Sequence, residues 1–181
     1  MANLPPSHYP DIGHLGEDLA AQWLQSTGWI ILHRRFSSRW GEIDIIAQYD
    51  ARIREAEERG ENFSRSECLA TLNSTQNLLL AFVEVKTRSS GSWDAGGRSA
   101  ITPQKQVKIS QTAGIFLAQY PEKADYYCRF DVAIVYCQRI SKNLIGVAAT
   151  HEALATSSAA GYKFKLQEYI PAAFDSLIDN G

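Results

Sequence analysis

Two apolar runs of this sequence carry charged residues at spacings that could support hydrolytic chemistry. Both have the β-branched composition of β-strands, in which alternate residues share a face, so Glu84 should lie beside Lys86, and Glu42 beside Asp44. Burying these groups is costly unless a divalent cation sits between the acids and the lysine faces an anion. That arrangement is typical of a metal-dependent phosphodiesterase. The runs are GEIDIIA at residues 41–47 and FVEVKTR at residues 82–88.

The composition is that of an ordinary globular protein rather than a nucleic-acid coat. With 181 residues, 45% of them hydrophobic, the chain is predicted to be a single domain over residues 1–181. The net charge of −2 leaves room only for a local basic patch. The three cysteines lack disulfide or zinc spacing, and we find neither a signal peptide nor a membrane-spanning run. We therefore expect a cytoplasmic protein that contacts no membrane.

Hydrophobic periodicity and turn residues predict a helix, three strands, a second helix, further strands and a tail. A long polar stretch at about 50–77 is predicted to be an insertion between two strands. The order predicts an α/β fold, with a central mixed β-sheet flanked by helices. The predicted elements are helix Ile12–Thr27 closed by Gly28, strands Trp29–Leu32, Glu42–Gln48 and Leu78–Lys86, helix Pro103–Gln119 capped by Thr102, strands Arg129–Cys137 and Leu144–Thr150, a short helix or loop over His151–Gly161, and the tail Phe164–Ile178.

The helical wheels orient the side chains of both helices. In the first helix, Glu17 falls at the edge of the apolar arc and could reach the rim of the core, whereas Asp18 should be solvated. In the second helix, Lys105 lies next to Phe116 on the wheel. The predicted buried side of that helix comprises Val107, Ile109, Ala113, Phe116 and Leu117.

The same motifs resemble a known family. The chain is similar to the YraN-like family of uncharacterised bacterial proteins, in the restriction-endonuclease-like PD-(D/E)xK superfamily, and also to archaeal Holliday-junction resolvases. The GEID and FVEVKTR runs, in this order, are specific signals, although Ile43 stands where many members of the superfamily have proline, and the 50–77 insertion is longer than expected. The resemblance covers most of the chain and rests further on Gly16, Glu17, Ala20, Ala21, Leu24, Gly28, Trp29, Lys105, Arg129, Phe130, Asp131, Val132, Ala173 and Phe174.

The resemblance implies a restriction-endonuclease-like fold and a role for each motif residue. Asp44 and Glu84, with the Val85 backbone carbonyl, would bind Mg²⁺ or Mn²⁺, and Glu17 would hold a second metal or a ligand water. Lys86 would orient the attacking water or offset charge on the phosphate. The implied catalytic residues are therefore Glu17, Asp44, Glu84 and Lys86, and the implied substrate-binding residues are Arg39, Thr87, Arg88, Lys105 and Lys108.

Each of these assignments has a structural alternative. Glu84 and Lys86 could form an exposed charge pair, and any single basic residue could be a solvated surface cation. Glu42 is better explained by a turn, and Asp131 by a partner that fixes the sheet, although either could support a metal site. Trp40 could stack on unpaired bases or anchor its loop to the core.

The function we expect is metal-dependent hydrolysis of nucleic-acid phosphodiester bonds, with DNA, branched or single-stranded, as the expected partner and repair or recombination as the role that the resemblance implies. A homodimer would suit an enzyme that cuts a junction symmetrically. The alternatives are a non-catalytic nucleic-acid-binding module of the same fold, and a structural adaptor that uses the insertion at 50–77.

Overall fold

The computed structural model describes residues 11–50, 78–89, 101–140 and 152–175. These residues form a β-sheet of six strands with an α-helix on each face. The elements are α1 (Ile12–Ser26), β1 (Ile30–Ser38), β2 (Gly41–Asp50), β3 (Leu78–Ser89), α2 (Pro103–Gln119), a 3-10 turn (Pro121–Lys123), β4 (Tyr127–Arg139), β5 (Ala155–Ala159) and β6 (Tyr162–Phe174).

The sheet is mixed. Its strand order is β1-β2-β3-β4-β6-β5; β3 and β4 are parallel, and every other neighbouring pair is antiparallel. Helix α2 lies between the two parallel strands in the chain, as a crossover connection requires. The predicted α/β class, with a central mixed sheet flanked by helices, is confirmed, and the arrangement is consistent with a restriction-endonuclease-like fold.

Helix α1 has the boundaries that its sequence predicts. Asp11 caps its start by accepting a hydrogen bond from the His14 backbone N–H at 3.1 Å. At its end, Gly28 adopts a φ of +91°, and the Trp29 N–H donates to the Leu24 carbonyl at 3.0 Å. This is a Schellman cap, which favours glycine because its left-handed backbone strains other residues.

Helix α2 also starts as predicted, because the Thr102 hydroxyl accepts from the Lys105 N–H at 3.3 Å and Pro103 occupies the first turn. Phe116 and Ile109 are fully buried against the sheet, but Val107 is 39% exposed. The prediction for Val107 is wrong because two residues turn a helix by about 200°, which places Val107 opposite Ile109. Within the described ranges, no helix is long and apolar enough to cross a membrane.

The first hairpin extends further than predicted. Strand β1 does not end at Leu32: it continues through the basic stretch to Ser38, which pairs with Gly41 across a two-residue turn. The basic side chains are tolerated because β1 is an edge strand of the sheet, where they can reach solvent. Arg35 adopts a left-handed φ of 55°, which re-aims the strand beside the site described below.

The C-terminal part of the chain contributes strands where we predicted a helix or loop and a tail. Ala155–Ala159 is the edge strand β5, and most of the predicted tail is the 13-residue strand β6 between β4 and β5. The turn that joins them has positive φ at Ala160 and Gly161. Asn-Gly or Asp-Gly is the usual sequence of such a hairpin turn, so the Ala-Gly found here does not predict one.

Some predictions lie outside the described residues. They are the strand at Leu144–Thr150 and nearly all of the insertion at about 50–77.

Gly16 sets the distance between α1 and β3. A Cβ at this position would clash with Oγ1 of Thr87, which faces the helix. We expect Gly16→Ala to lower the free energy of unfolding by about 1–3 kcal/mol through overpacking. Denaturant unfolding should show this loss, and Thr87→Ala should reduce it. Gly13→Ala is the control: the position is exposed, and the added Cβ would lie 3.3 Å from Oδ1 of the exposed Asp11, so we expect a clearly smaller loss. Equal losses for both variants would contradict the close approach.

Candidate functional site

The strands β2 and β3 separate at one end of the sheet. Their pairing ends at Ile45 and Val83, although β2 begins at Gly41 and β3 continues to Ser89. Beyond that point β2 stays paired with β1, and β3 with β4. The opening between Gly41–Asp44 and Glu84–Ser89, called here the β2–β3 cleft, contains most of the predicted site residues.

Asp44 lies at the point of separation. Ile43 and Ile46 both pack in the core under α2, whereas Ile45 packs under α1, so strict alternation breaks at Asp44. The prediction that Glu42 and Asp44 share a face stays a prediction, because the break lies at Asp44 itself. Asp44 Oδ2 accepts a hydrogen bond from the Val85 backbone N–H at 2.7 Å, just beyond the last backbone pairing between β2 and β3.

The Asp44 carboxylate is held in an environment that disfavours its charge. The side chain is 9% exposed, and burial, followed by the neighbouring charge of Glu84, raises the pKa of Asp44 to about 7. The hydrogen bond from the Val85 N–H and the charge of Lys105 both lower the pKa of Asp44, but by less than burial and Glu84 raise it. Two buried carboxylates that repel one another are a frequent sign of a functional site, and a cation would relieve the repulsion.

Glu84 forms ion pairs with two lysines in the cleft. It is 4% exposed, and its two oxygens form ion pairs on different sides: Oε2 lies 3.1 Å from Lys105 Nζ, and Oε1 lies 3.6 Å from Lys86 Nζ. Glu84 and Lys86 thus share a face, as the alternation predicts. Oε2 is fully buried but accepts no hydrogen bond of good geometry from the residues that the structure describes, so within this part of the chain it keeps a lone pair available to a ligand.

Glu17 approaches the cleft from α1. It is 8% exposed, and its Oε2 lies 3.8 to 3.9 Å from the His14 ring and from the guanidinium groups of Arg34 and Arg35. Burial raises the pKa of Glu17 more than the two arginines lower it. Its charge also contributes to the raised pKa of Asp44, so the two carboxylates sense one another. Asp18 is not simply solvated as predicted, because it pairs with Arg34 at 2.9 Å.

The predicted trio of acids does not form a complete metal centre. Among the residues that the structure describes, no three His, Cys, Asp or Glu side chains lie close enough together to hold an ion. Of the two acidic neighbours of Asp44, Glu84 raises the pKa of Asp44 more than Glu17 does. The pair of Asp44 and Glu84 fits Mg²⁺, which commonly takes one or two protein carboxylates and keeps several waters.

The predicted substrate-binding residues lie in three places. Lys105 is inside the β2–β3 cleft, and Arg88 lies on β3 two positions beyond Lys86, on the same face by alternation. Lys108 and Arg39 lie at the mouth, beside the β1–β2 turn: the Lys108 Cβ is 3.7 Å from where a Cβ on Gly41 would be. Thr87 faces the other way, against α1, and its substrate-binding role stays a prediction.

Two further acidic residues have structural partners. Glu42 accepts hydrogen bonds from the Ser37 hydroxyl at 2.8 Å and from Arg35 Nε at 3.2 Å, within the β1–β2 hairpin. Asp131 is fully buried and accepts from Arg129, from the Tyr169 hydroxyl at 2.6 Å and from the Ala172 N–H at 2.9 Å. These contacts support the structural interpretation of both residues.

Comparison with known proteins places the chain in a family. The sequence model of the Uncharacterised protein family UPF0102 matches residues 16–135, which include every acid and lysine of the cleft. The chain belongs to this family. A UPF0102 protein of Trichormus variabilis is 56% identical over 169 residues, covering 93% of this chain and 97% of the relative. One from Synechocystis sp. is 37% identical over 172 residues, covering 91% and 97%. Membership of the PD-(D/E)xK superfamily stays a prediction for this UPF0102 protein.

Two features of the site were not found from the sequence. Arg34 and Arg35 both lie beside Glu17, a contact that the sequence does not predict. The Val85 N–H, which holds Asp44, was not identified as its donor. The only sequence feature that marks the arginines is their position next to each other, after the apolar start of β1. No sequence feature marks the Val85 N–H, because the separation of β2 and β3 depends on tertiary structure.

Proposed function

We propose that this UPF0102 protein is a Mg²⁺- or Mn²⁺-dependent nuclease that hydrolyses phosphodiester bonds of DNA in the β2–β3 cleft. The observation that carries the proposal is that Asp44 and Glu84 are both buried at the opening of the cleft, that the charge of Glu84 raises the pKa of Asp44, and that two lysines contact Glu84. A purely structural pair of this kind would only lower the stability of the fold, because burial and the charge of Glu84 both disfavour ionisation of Asp44.

The residues that would hold the ion are Asp44 and Glu84, with the Val85 carbonyl completing the protein ligands. The ion would supply Lewis acidity, which activates water and neutralises phosphate charge. The Val85 N–H fixes the orientation of Asp44 at 2.7 Å, so the carboxylate is placed before any ligand binds. Only one Asp44 oxygen is used in that bond, which leaves the other for a cation.

The lysines would act on the phosphate. Lys86 and Lys105 approach Glu84 from its own strand and from α2, so they bracket the same carboxylate. With an ion held at Glu84, both ammonium groups could turn to an anionic substrate and stabilise the charge that grows on the phosphate oxygens. Lys105 is the closer of the two, and Lys86 is the one that the E-x-K resemblance assigns to catalysis.

The proposal is tested by nicking assays on supercoiled plasmid and on single-stranded and branched DNA. We expect cleavage with Mn²⁺ or Mg²⁺ and none with EDTA, and we expect Lys86→Met to lower the rate by about a hundredfold or more because a phosphate-stabilising charge is lost. The readout is the rate of conversion to nicked or shortened DNA. Cleavage that persists in EDTA, or is unchanged in Lys86→Met, would contradict the assignment.

A non-catalytic nucleic-acid-binding module is the second candidate, and one observation favours it. The two ammonium groups near Glu84 already balance its charge, and the described residues contain no group of three metal-binding side chains. A module of this kind would bind DNA with a strong salt dependence but would show no turnover with any divalent cation.

A further inference from the structure

The turn between β1 and β2 presents an aromatic ring at the mouth of the cleft. Trp40 is 40% exposed, and among the described residues it belongs to neither core cluster. The guanidinium of Arg39 lies 4.8 Å from its ring centroid. The structure thus departs from the usual role of a tryptophan in a tight turn, which is to anchor that turn in the core.

The position of this turn is fixed by α2. The Ser38 hydroxyl bonds to the Thr112 hydroxyl at 2.8 Å and also accepts from the Trp40 N–H at 3.1 Å. Gly41 lies against Lys108. The ring is therefore carried on a rigid hairpin that is attached to the helix, so a ligand that stacks on it would meet a preorganised surface.

A line of positive charge leads from the ring into the cleft. Arg39 is in contact with Trp40, Lys108 lies beside the turn, and Lys105, one helical turn before Lys108, reaches Glu84. Along α2 one turn is about 5.4 Å, so the charges are spaced on the scale of successive phosphates of a nucleic-acid strand. An aromatic ring beside cations at such intervals is the pattern of a single-strand binding path.

We infer that Trp40 and Arg39 form a stacking subsite for an unpaired base, with Lys108 and Lys105 guiding the attached strand into the β2–β3 cleft, a subsite that rests on the nucleic-acid function proposed above. A base in a duplex has both faces covered by its neighbours, so the ring can stack only on a base that has left a helix. The substrate class is accordingly single-stranded or branched nucleic acid rather than intact duplex.

Binding measured without catalysis tests the subsite. Fluorescence anisotropy of a labelled oligothymidylate, titrated with the full chain in EDTA, should show about five- to a hundredfold weaker binding for Trp40→Ala. Trp40→Phe, which keeps a ring, should recover most of the affinity. Tyr127→Ala is the matched control. Tyr127 is an exposed aromatic residue at the end of β4 that lies away from the cleft, so its loss should leave the affinity unchanged.

Salt dependence and a duplex probe separate stacking from general charge attraction. Trp40→Ala should keep the wild-type salt slope, whereas Lys108→Gln should reduce it by about 0.7. Equal affinity of Trp40→Ala and wild type for the oligothymidylate, or an equal loss on blunt duplex, would overturn the inference even if nuclease activity is found. Weaker binding by Trp40→Ala without any nicking would uphold the subsite and reject the nuclease.

Discussion

Glu84→Gln is expected to abolish divalent-dependent nicking, with a loss of about a thousandfold in rate. Glutamine keeps the shape of the side chain but removes the charge that draws a cation between the two strands. It also releases Lys86 and Lys105 from their ion pairs at 3.6 and 3.1 Å. The rate of plasmid nicking at saturating Mn²⁺ is the measurement, and thermal melting of each variant verifies that the fold is retained.

Glu42→Gln provides the matched control for this experiment. Glu42 is on β2 close to Asp44, but its carboxylate is engaged with Ser37 and Arg35 on the surface of the hairpin. Glu42 is not one of the two proposed ion ligands, so the variant should retain activity within about tenfold. If Glu42→Gln loses as much activity as Glu84→Gln, the assignment of the metal site to the Asp44–Glu84 pair is wrong.

Asp44→Asn is expected to change the pH dependence of stability. Burial and Glu84 raise the pKa of Asp44 from 3.8 to about 7, so the folded protein binds a proton that the unfolded chain has already released. Without divalent ions, this group contributes stability that is complete below about pH 4 and is lost as the pH rises through 7. Asparagine cannot ionise, and the variant should gain on the order of a few kcal/mol over wild type at pH 8.

The measurement is urea unfolding of both proteins at pH 5 and pH 8 in EDTA. The difference in unfolding free energy between Asp44→Asn and wild type should grow with pH. Saturating Mn²⁺ should then stabilise wild type by about 3 kcal/mol at a hundred times its Kd, and should leave the variant unchanged. A difference that is constant with pH would show that the environment of Asp44 does not disfavour its charge.

The sequence predicted those parts of the fold that local chemistry determines. Both helices were found because their caps, Thr102 and Gly28, are single-residue signals next to clear apolar periodicity. Strand β3 was found because an apolar run on both faces is typical of a central strand. The strand β6 was missed because its register depends on partners far away in the chain, and β5 because Ala, Ser and Thr give no periodic signal.

The candidate site was predicted in part for the same reason. Alternation along one strand was enough to place Lys86 beside Glu84, since both residues belong to β3. The position of Asp44 relative to Glu84 depends on where β2 and β3 separate. The sequence does not show that alternation breaks on β2, because isoleucines are buried on both faces of that strand. The cations around Glu17 depend on β1 crossing α1, which is likewise a matter of tertiary packing.

A crystal of the protein soaked in Mn²⁺, with anomalous diffraction, tests most directly whether a cation belongs between Asp44 and Glu84. We predict an anomalous peak within about 2.0–2.4 Å of one carboxylate oxygen from each residue, with Lys105 Nζ displaced from its 3.1 Å contact to Glu84. No peak at high Mn²⁺ concentration, with Lys105 still paired to Glu84, would show that the lysines take the place of the ion and would contradict the nuclease proposal.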